Sequence, residues 1–342
     1  MSYSIADIAQ RAGVSTATVS RVINHISKGV GEETRERVLS VIREMNYRPN
    51  LQARAIAKAR SGIIGVIIPD VGNLFYPQVL RGIDDCLKEQ GYAMLLCNSD
   101  SDPEQEKREL LFMVDHRVEG VILCSGVSNE SFLKTYRAYE IPLVMIGRTF
   151  DSPYADGCIC GDNESGMYRS ASYLIGHGNR RILYLDGPAN VAGPMQRLAG
   201  YQKALAAHGI APSPALIHQG EFSIRYGMDC VNRLLREGVS FSAVAAGSDL
   251  IAIGAVKALL GRGIKVPWDV EVIGFDNIDL SSIFDPNLST VSKPHGAMAE
   301  QAARMLLGII RGEPPGEKRV TTASELILRG TTRPDPKGDE KP

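Results

Sequence analysis

Long apolar runs are missing from this chain of 342 residues. Nowhere do about 18 apolar residues follow one another, the minimum for a helix that spans a bilayer. The N-terminus has no basic segment leading into an apolar stretch, so neither membrane insertion nor export is expected, and a cytoplasmic location is. Cysteine is scattered: Cys86, Cys97, Cys124, Cys158, Cys160 and Cys230 form no C-x-x-C pair and have no histidine cluster beside them. That spacing argues against a metal site and for buried thiols in a reducing compartment. Cys158 and Cys160, two apart in an apolar stretch, would point to the same face of a strand. Catalytic signatures are missing too. There is no G-x-G-x-x-G behind a strand, no phosphate-loop lysine and no G-x-S-x-G elbow, and the six histidines pair with no nucleophile. Neither catalysis nor a cofactor is expected. The proline-rich, charged tail (334–342) has no leucine heptads, which excludes a C-terminal coiled coil, and it reads as disordered.

What is present divides the chain unevenly. Residues 1–60 hold ten Lys/Arg against five Asp/Glu, a net +5, and the remainder carries −6. A basic head on an acidic body is the electrostatic footprint of a nucleic-acid-binding module carried by something else. In the head, Ser4 and Asp7 suit a capping box, with Ile5, Ile8, Ala9 and Ala12 on one helical face. Gly13 interrupts. Ser15 suits the N-cap of a second helix running to about Asn24, and Thr34 to Asn46 reads as a third, with Val38, Leu39, Ile42 and Met45 facing inward. Pro49 ends that helix, and Leu51 to Ala59 is a stretch of helix formers too short to be stable alone.

The first two helices have the spacing of a helix-turn-helix, with Ala9 allowing a close crossing and Gly13 the tight turn. Thr16, Ala17, Ser20 and Arg21 then share the outer face of the second helix, the face that would enter a major groove. Arg21 has the geometry to grip guanine O6 and N7 together. The segments Asp7-Ile8-Ala9, Ala12–Ser15, Thr18–Asn24, Glu33-Thr34-Arg35 and Tyr47-Arg48-Pro49-Asn50 resemble the lactose-repressor family of bacterial regulators, and the likeness runs from Ser4 to about Arg333. The resemblance implies that Thr16, Ala17 and Arg21 read bases, while Ser4, Ser20, Asn24 and Tyr47 contact or orient on phosphates. It also implies paired hinge helices starting near Asn50, with Arg54 on the DNA and the side chain at position 56 wedged into the minor groove. The family usually places leucine there; this chain has Ile56.

From Ile63 onward strands alternate with amphipathic helices, a pattern that implies parallel sheets with helices on both faces, and the length suggests two such sheets. The expected strands are Ile63–Ile68, Ala93–Cys97, Gly120–Leu123, Leu143–Ile146, Gly157–Cys160, Ile182–Leu185, Ala215–His218, Ala243–Ala246 and Val270–Gly274. In open α/β sheets ligands bind outside the carboxyl ends of strands. That rule selects Asn73 and Phe75 near Asp70, then Arg148, Arg197, Phe222, Ser248-Asp249 and Asp276. Aromatic faces with Arg, Asp and Asn suit a sugar ring, and Arg148 with Arg197 would tolerate a sugar acid. By the resemblance the same positions line the cleft of a two-lobed, periplasmic-binding-protein-like core.

The expectation is therefore an N-terminal all-α helix-turn-helix domain (1–48), a hinge (49–60) and an α/β two-lobed core (61–333). Its N-lobe would take in about 61–161 and 292–322, and its C-lobe about 162–291 and 323–333. The expected function is a homodimeric repressor on a pseudo-palindromic double-stranded operator, controlled by a sugar or sugar acid. A purine-type corepressor is the alternative. A transporter's sugar-binding protein would explain the core but not residues 1–60, and a sugar-modifying enzyme would need motifs that are missing.

Overall fold

The computed structural model describes residues 3–23, 26, 29–47, 60–124, 130–147, 152–314 and 316–334. It divides into two units, Met1–Gly62 and Ile63–Pro342. The hinge stretch Leu51–Ala59 and positions 335–342 of the tail lie outside the described residues.

In the first unit, helices α1 (Ile5–Ala12), α2 (Thr16–Ile23) and α3 (Glu32–Glu44) enclose a core of Ile8, Ala9, Ala12, Val19, Val22, Val38 and Val41. The capping box forms as the spacing predicts: Ser4 N donates to Asp7 Oδ2 at 2.7 Å, and Ser4 Oγ accepts from Asp7 N at 3.3 Å. Gly13 closes α1 at φ +66°, a left-handed conformation that costs glycine little. Ser15 Oγ takes the N–H of Thr18 at 3.1 Å. Helix α3 begins and ends two residues before the expected Thr34–Asn46. Glu32 and Glu33 favour the positive end of the helix dipole, and Asn46 at φ +44° stops it. Val41, not foreseen, is buried, whereas Leu39, Ile42 and Met45 are only partly so.

The second unit contains two six-stranded sheets. One holds β1 (Ile63–Ile68), β2 (Ala93–Asn98), β3 (Gly120–Leu123), β4 (Leu143–Ile146), β5 (Gly157–Gly161) and β11 (Arg319–Thr322), in the order β11-β5-β4-β3-β1-β2. The other holds β6 (Ile182–Asp186), β7 (Ile217–Gln219), β8 (Ala243–Ala246), β9 (Glu271–Asp276), β10 (Ser289–Ser292) and β12 (Glu325–Ile327), in the order β12-β10-β9-β8-β6-β7. Every pairing is parallel except β10 with β12. Helices cover both faces, so the central strands are apolar on both sides: Ile64, Val66 and Ile68 of β1 join one core cluster and Ile67 the opposite one. Cys158 and Cys160 do share a face, both buried, with sulfurs 3.1 Å apart.

Three strands escaped the expectation. Ser289-Thr290-Val291-Ser292 is buried but mostly hydroxylic, and β11 and β12 are short edge strands. The seventh strand starts two residues later than expected because Pro214 opens a 3-10 turn through Leu216. These late strands matter to the site: the chain crosses from one sheet to the other after β5, after β10, and between β11 and β12. Among the described residues no helix is long and apolar enough to cross a membrane.

Candidate ligand cavity and DNA-reading head

On the head, Val19 and Val22 turn into the core, and Thr16, Ala17 and Arg21 are exposed together on the opposite side of α2. Ser20 and Tyr47 are half-buried, and Ser4 holds the start of α1. The head therefore presents one helix with a small N-terminal face and an exposed arginine, whose Nη1 lies close to Gly29. Asn24, Asn50, Arg54 and Ile56 lie outside the described residues.

In the core, the strand-end loops of both sheets wall a cavity of about 510 Å³. Asn73, Phe75, Arg197, Phe222 and Asp276 all line it. Asn73 Oδ1 accepts from Phe75 N at 3.0 Å, a turn that opens α4 (Tyr76–Glu89) and leaves the Asn73 amide N–H groups for other partners. Phe222 lies over Gly187, where a Cβ would fall 2.1 Å from the ring; only glycine admits it. Asp276 ends β9 at φ +100° and Asn277 follows at φ +55°. Two successive left-handed non-glycines are costly, and such strain persists only where surrounding bonds over-determine it. Here they do. Asn277 bonds Ser292 and Arg329, and His295 Nε2 donates to the Asp276 carbonyl at 2.7 Å. Burial, then Lys293, push His295 down to about 4, so its ring is neutral at neutral pH.

The charges of the inner wall are paired. Arg197, almost wholly buried, makes a two-bond fork with Asp186, Nε to Oδ2 and Nη2 to Oδ1, both 2.9 Å. Lys293 Nζ lies 3.0 Å from Asp276 Oδ1 and 4.9 Å from the Phe275 ring centroid. Burial pushes the Asp276 carboxyl up, but Lys293, His295 and Arg197 outweigh it and the net direction is down. For Lys293 burial wins over Asp276, and the direction is also down.

Ser248 and Asp249 do not line the cavity, which corrects their expected place among the ligand contacts. Ser248 Oγ is the N-cap of the helix Asp249–Leu260, accepting from Ile251 N at 3.3 Å. Asp249, 1% exposed, accepts from Thr290 Oγ1 at 2.5 Å and from Ile278 N at 2.8 Å. A buried carboxyl whose two oxygens are bonded to β10 and to the β9 loop is turned into the core and away from the cavity lining. Arg148 lies outside the described residues. Sequence reasoning missed Asp186, Asn163, Lys293 and His295. Asp186 stands at the end of β6, and the strand-end rule applied one residue further would have found it. Lys293 follows a strand the sequence hides.

Residues 61–328 match the family described as periplasmic binding proteins and sugar binding domain of the LacI family, and residues 4–50 match bacterial regulatory proteins, lacI family. The HTH-type transcriptional regulator RegA of Clostridium saccharobutylicum is 36% identical over 333 residues, 97% of this chain and all of that one. Among solved structures, the lac repressor dimer bound to operator and the anti-inducer ONPF has a TM-score of 0.87 at 26% identity. It covers 97% of this chain and 99% of its own. The transcriptional regulator CelR in complex with cellobiose has a TM-score of 0.73 at 29% identity, covering 96% and 99%. The chain belongs to the LacI family of bacterial regulators. It is a DNA-binding transcriptional regulator, with a helix-turn-helix head and a sugar-binding-type core.

For this LacI-family chain the buried Asp249 carries a pH signature. Burial, more than the charge of Asp276, pushes its carboxyl up to about 8 against the opposing bonds from Thr290 and Ile278. A carboxyl whose folded value is raised favours folding while it stays protonated. That contribution is complete below the ordinary carboxylate range and disappears as pH rises toward 8. Stability should therefore fall between roughly pH 5 and pH 8, with a slope approaching about 1.4 kcal/mol per pH unit. Asp249→Asn keeps an acceptor for Ile278 and removes the proton. Urea unfolding of both proteins across this range is expected to show a flatter profile for the variant, and parallel profiles would count against the assignment.

Proposed function

We propose that the chain is a cytoplasmic homodimeric repressor without catalytic activity, which binds a pseudo-palindromic double-stranded DNA site and is released from it by a sugar-type effector. The domain limits proposed are 1–48 for the head, 49–60 for the hinge and 61–333 for the core. Asn73, Phe75, Arg197, Phe222 and Asp276 are the proposed effector contacts, and Ser4, Thr16, Ala17, Ser20, Arg21 and Tyr47 the proposed DNA contacts. The observation that carries the reading is the cavity itself. Two aromatic rings, Phe75 and Phe222, share its walls with a carboxylate, an amide and a guanidinium fixed in direction by their own bonds. Flat C–H faces and hydroxyls in fixed directions are what a sugar ring offers such walls. The operator and the ligand in the lac repressor structure, and the cellobiose in that of CelR, support the same reading.

An effector changes DNA affinity only by binding two core arrangements unequally. The test selects a DNA site from a randomised pool with the full-length protein, then measures its affinity by fluorescence anisotropy with sugars and with purines. At least one sugar is expected to weaken binding about ten-fold, a coupling of about 1.4 kcal/mol. A purine that strengthens binding would replace the sugar reading with corepression. Affinity unchanged across both panels would overturn ligand control of either kind.

A further inference from the structure

We propose that Lys293 is a specificity-determining residue of the cavity: with Asp276 it forms a charge-compensated clamp for two adjacent hydroxyls of a neutral polyol, and it turns carboxylated sugars away. The inference rests on the reading of the cavity as a sugar site.

Lys293 leaves β10 at one of the three crossings between the sheets. Its stem lies across Gly161, the end of β5, where a Cβ would come 2.5 Å from Lys293 Cδ. A second crossing segment therefore fixes the lysine stem from below. Its ammonium lies 3.0 Å from Asp276 Oδ1 and 3.3 Å from Asn163 Oδ1, which leaves one of its three N–H donors for a ligand. Among the described residues no other side chain bonds the Asp276 carboxylate, so Oδ2 is left to accept. One acceptor beside one donor is the complement of neighbouring hydroxyls, one donating and one accepting. Phe75, 5.6 Å from the same ammonium, supplies the flat face next to them.

Among the described residues the wall offers no unpaired cation for a ligand carboxylate. Arg197 is already forked onto Asp186. Its Nη1 shares Asn163 Oδ1, at 3.4 Å, with Lys293. A neutral oxygen of the protein thus fills the gap between the two cations, and Asn163 is held there by its own bond to Gln196 Oε1 at 2.9 Å. Asp70, Asp100 and Glu221 also line the cavity, with no ion-pair partner among the described residues. Among those residues, two cations face or back the cavity against five carboxylates, counting Asp186 and Asp276. The buried charges cancel in pairs and the three remaining carboxylates are exposed at the rim, so a further negative charge meets no uncompensated cation among the described residues.

The experiment is calorimetric titration of the full-length protein with matched pairs at fixed pH and ionic strength: glucose with glucuronate, galactose with galacturonate, ribose with ribonate. In the pair that binds, the neutral member is expected to bind about ten-fold tighter or more, and removing one of two adjacent hydroxyls to abolish binding. An acid that binds as tightly as its neutral partner would overturn the inference while leaving the sugar reading intact. Binding by neither member of any pair would overturn the sugar reading itself. Asp276→Asn uncovers the Lys293 charge and is expected to narrow or reverse the preference. Lys293→Gln uncovers Asp276 and is expected to widen it. A ratio unchanged in either variant, once its melting temperature shows it folded, would show that the pair does not set the preference.

Discussion

Arg197→Met is expected to lower the stability of the core by about 3–5 kcal/mol, because it strands a buried carboxylate. Asp186 is fully buried, and its oxygens receive both arms of the Arg197 fork, the Tyr184 hydroxyl at 2.5 Å and the Gly187 N–H at 2.7 Å. Methionine fills much of the volume that the arginine stem occupies but supplies neither charge nor donor. Two neutral donors remain, too few to replace a guanidinium for a carboxylate without water. A chain-wide unfolding measurement should also show partial recovery in Asp186→Asn/Arg197→Met, since the asparagine Oδ1 still accepts from Gly187 N and its amide N–H can donate to the Tyr184 hydroxyl oxygen, with no charge to strand. If Arg197→Met unfolds within about 1 kcal/mol of the wild type, the pair is not a structural one. Such an outcome would return Arg197 to the role the strand-end rule gave it, a side chain free to meet a ligand. In the structure it is a wall component first, paired with Asp186 inside the core.

The case of Arg197 shows what was legible in the sequence. The strand-end rule picked the residue and its place on the wall, because strand ends are marked by apolar runs that stop. It gave no partner, because Asp186 and Arg197 are eleven positions apart on different elements, and nothing in their spacing says that they meet. Most of the nine expected strands declared themselves by apolar runs, buried nearly throughout in β1, β3, β4, β5, β6, β8 and β9, while β2 and β7, each at a sheet edge, are only partly covered. β10 did not, since its serine and threonine hydroxyls are satisfied inside the core: Ser289 Oγ by Thr332 Oγ1 at 2.8 Å, Thr290 Oγ1 by Asp249. With β10 went Lys293 and the crossing that follows this strand. The same blindness placed Ser248 and Asp249 on the ligand side. A polar pair at the start of a helix after a strand fits both capping and ligand contact, and only the proximity of Thr290 and Ile278 decides for the first. The head was the most legible part, because capping boxes and turn glycines act over three or four residues.

Arg21→Ala is expected to erase base preference at one position of each half-site while leaving the head folded. Arg21 is exposed on α2, one turn beyond Thr16 and Ala17, and the buried residues of that helix, Val19 and Val22, do not depend on it. Its backbone carbonyl, which accepts from Ile26 N at 2.9 Å, survives the substitution. The melting temperature should therefore move little. Binding to the selected site should weaken by about 1–3 kcal/mol, the worth of a bidentate arginine–guanine contact. The discriminating readout is the pattern, not the loss. A phosphate contact would weaken binding to every sequence alike and lower the salt dependence by about one unit of slope. A base contact should bring the wild-type site down toward the level of a site mutated at one guanine–cytosine pair, with the salt slope nearly unchanged. If Arg21→Ala weakened selected and scrambled DNA equally, the guanidinium would belong to the phosphates, and sequence reading would have to come from Thr16 and Ala17 alone.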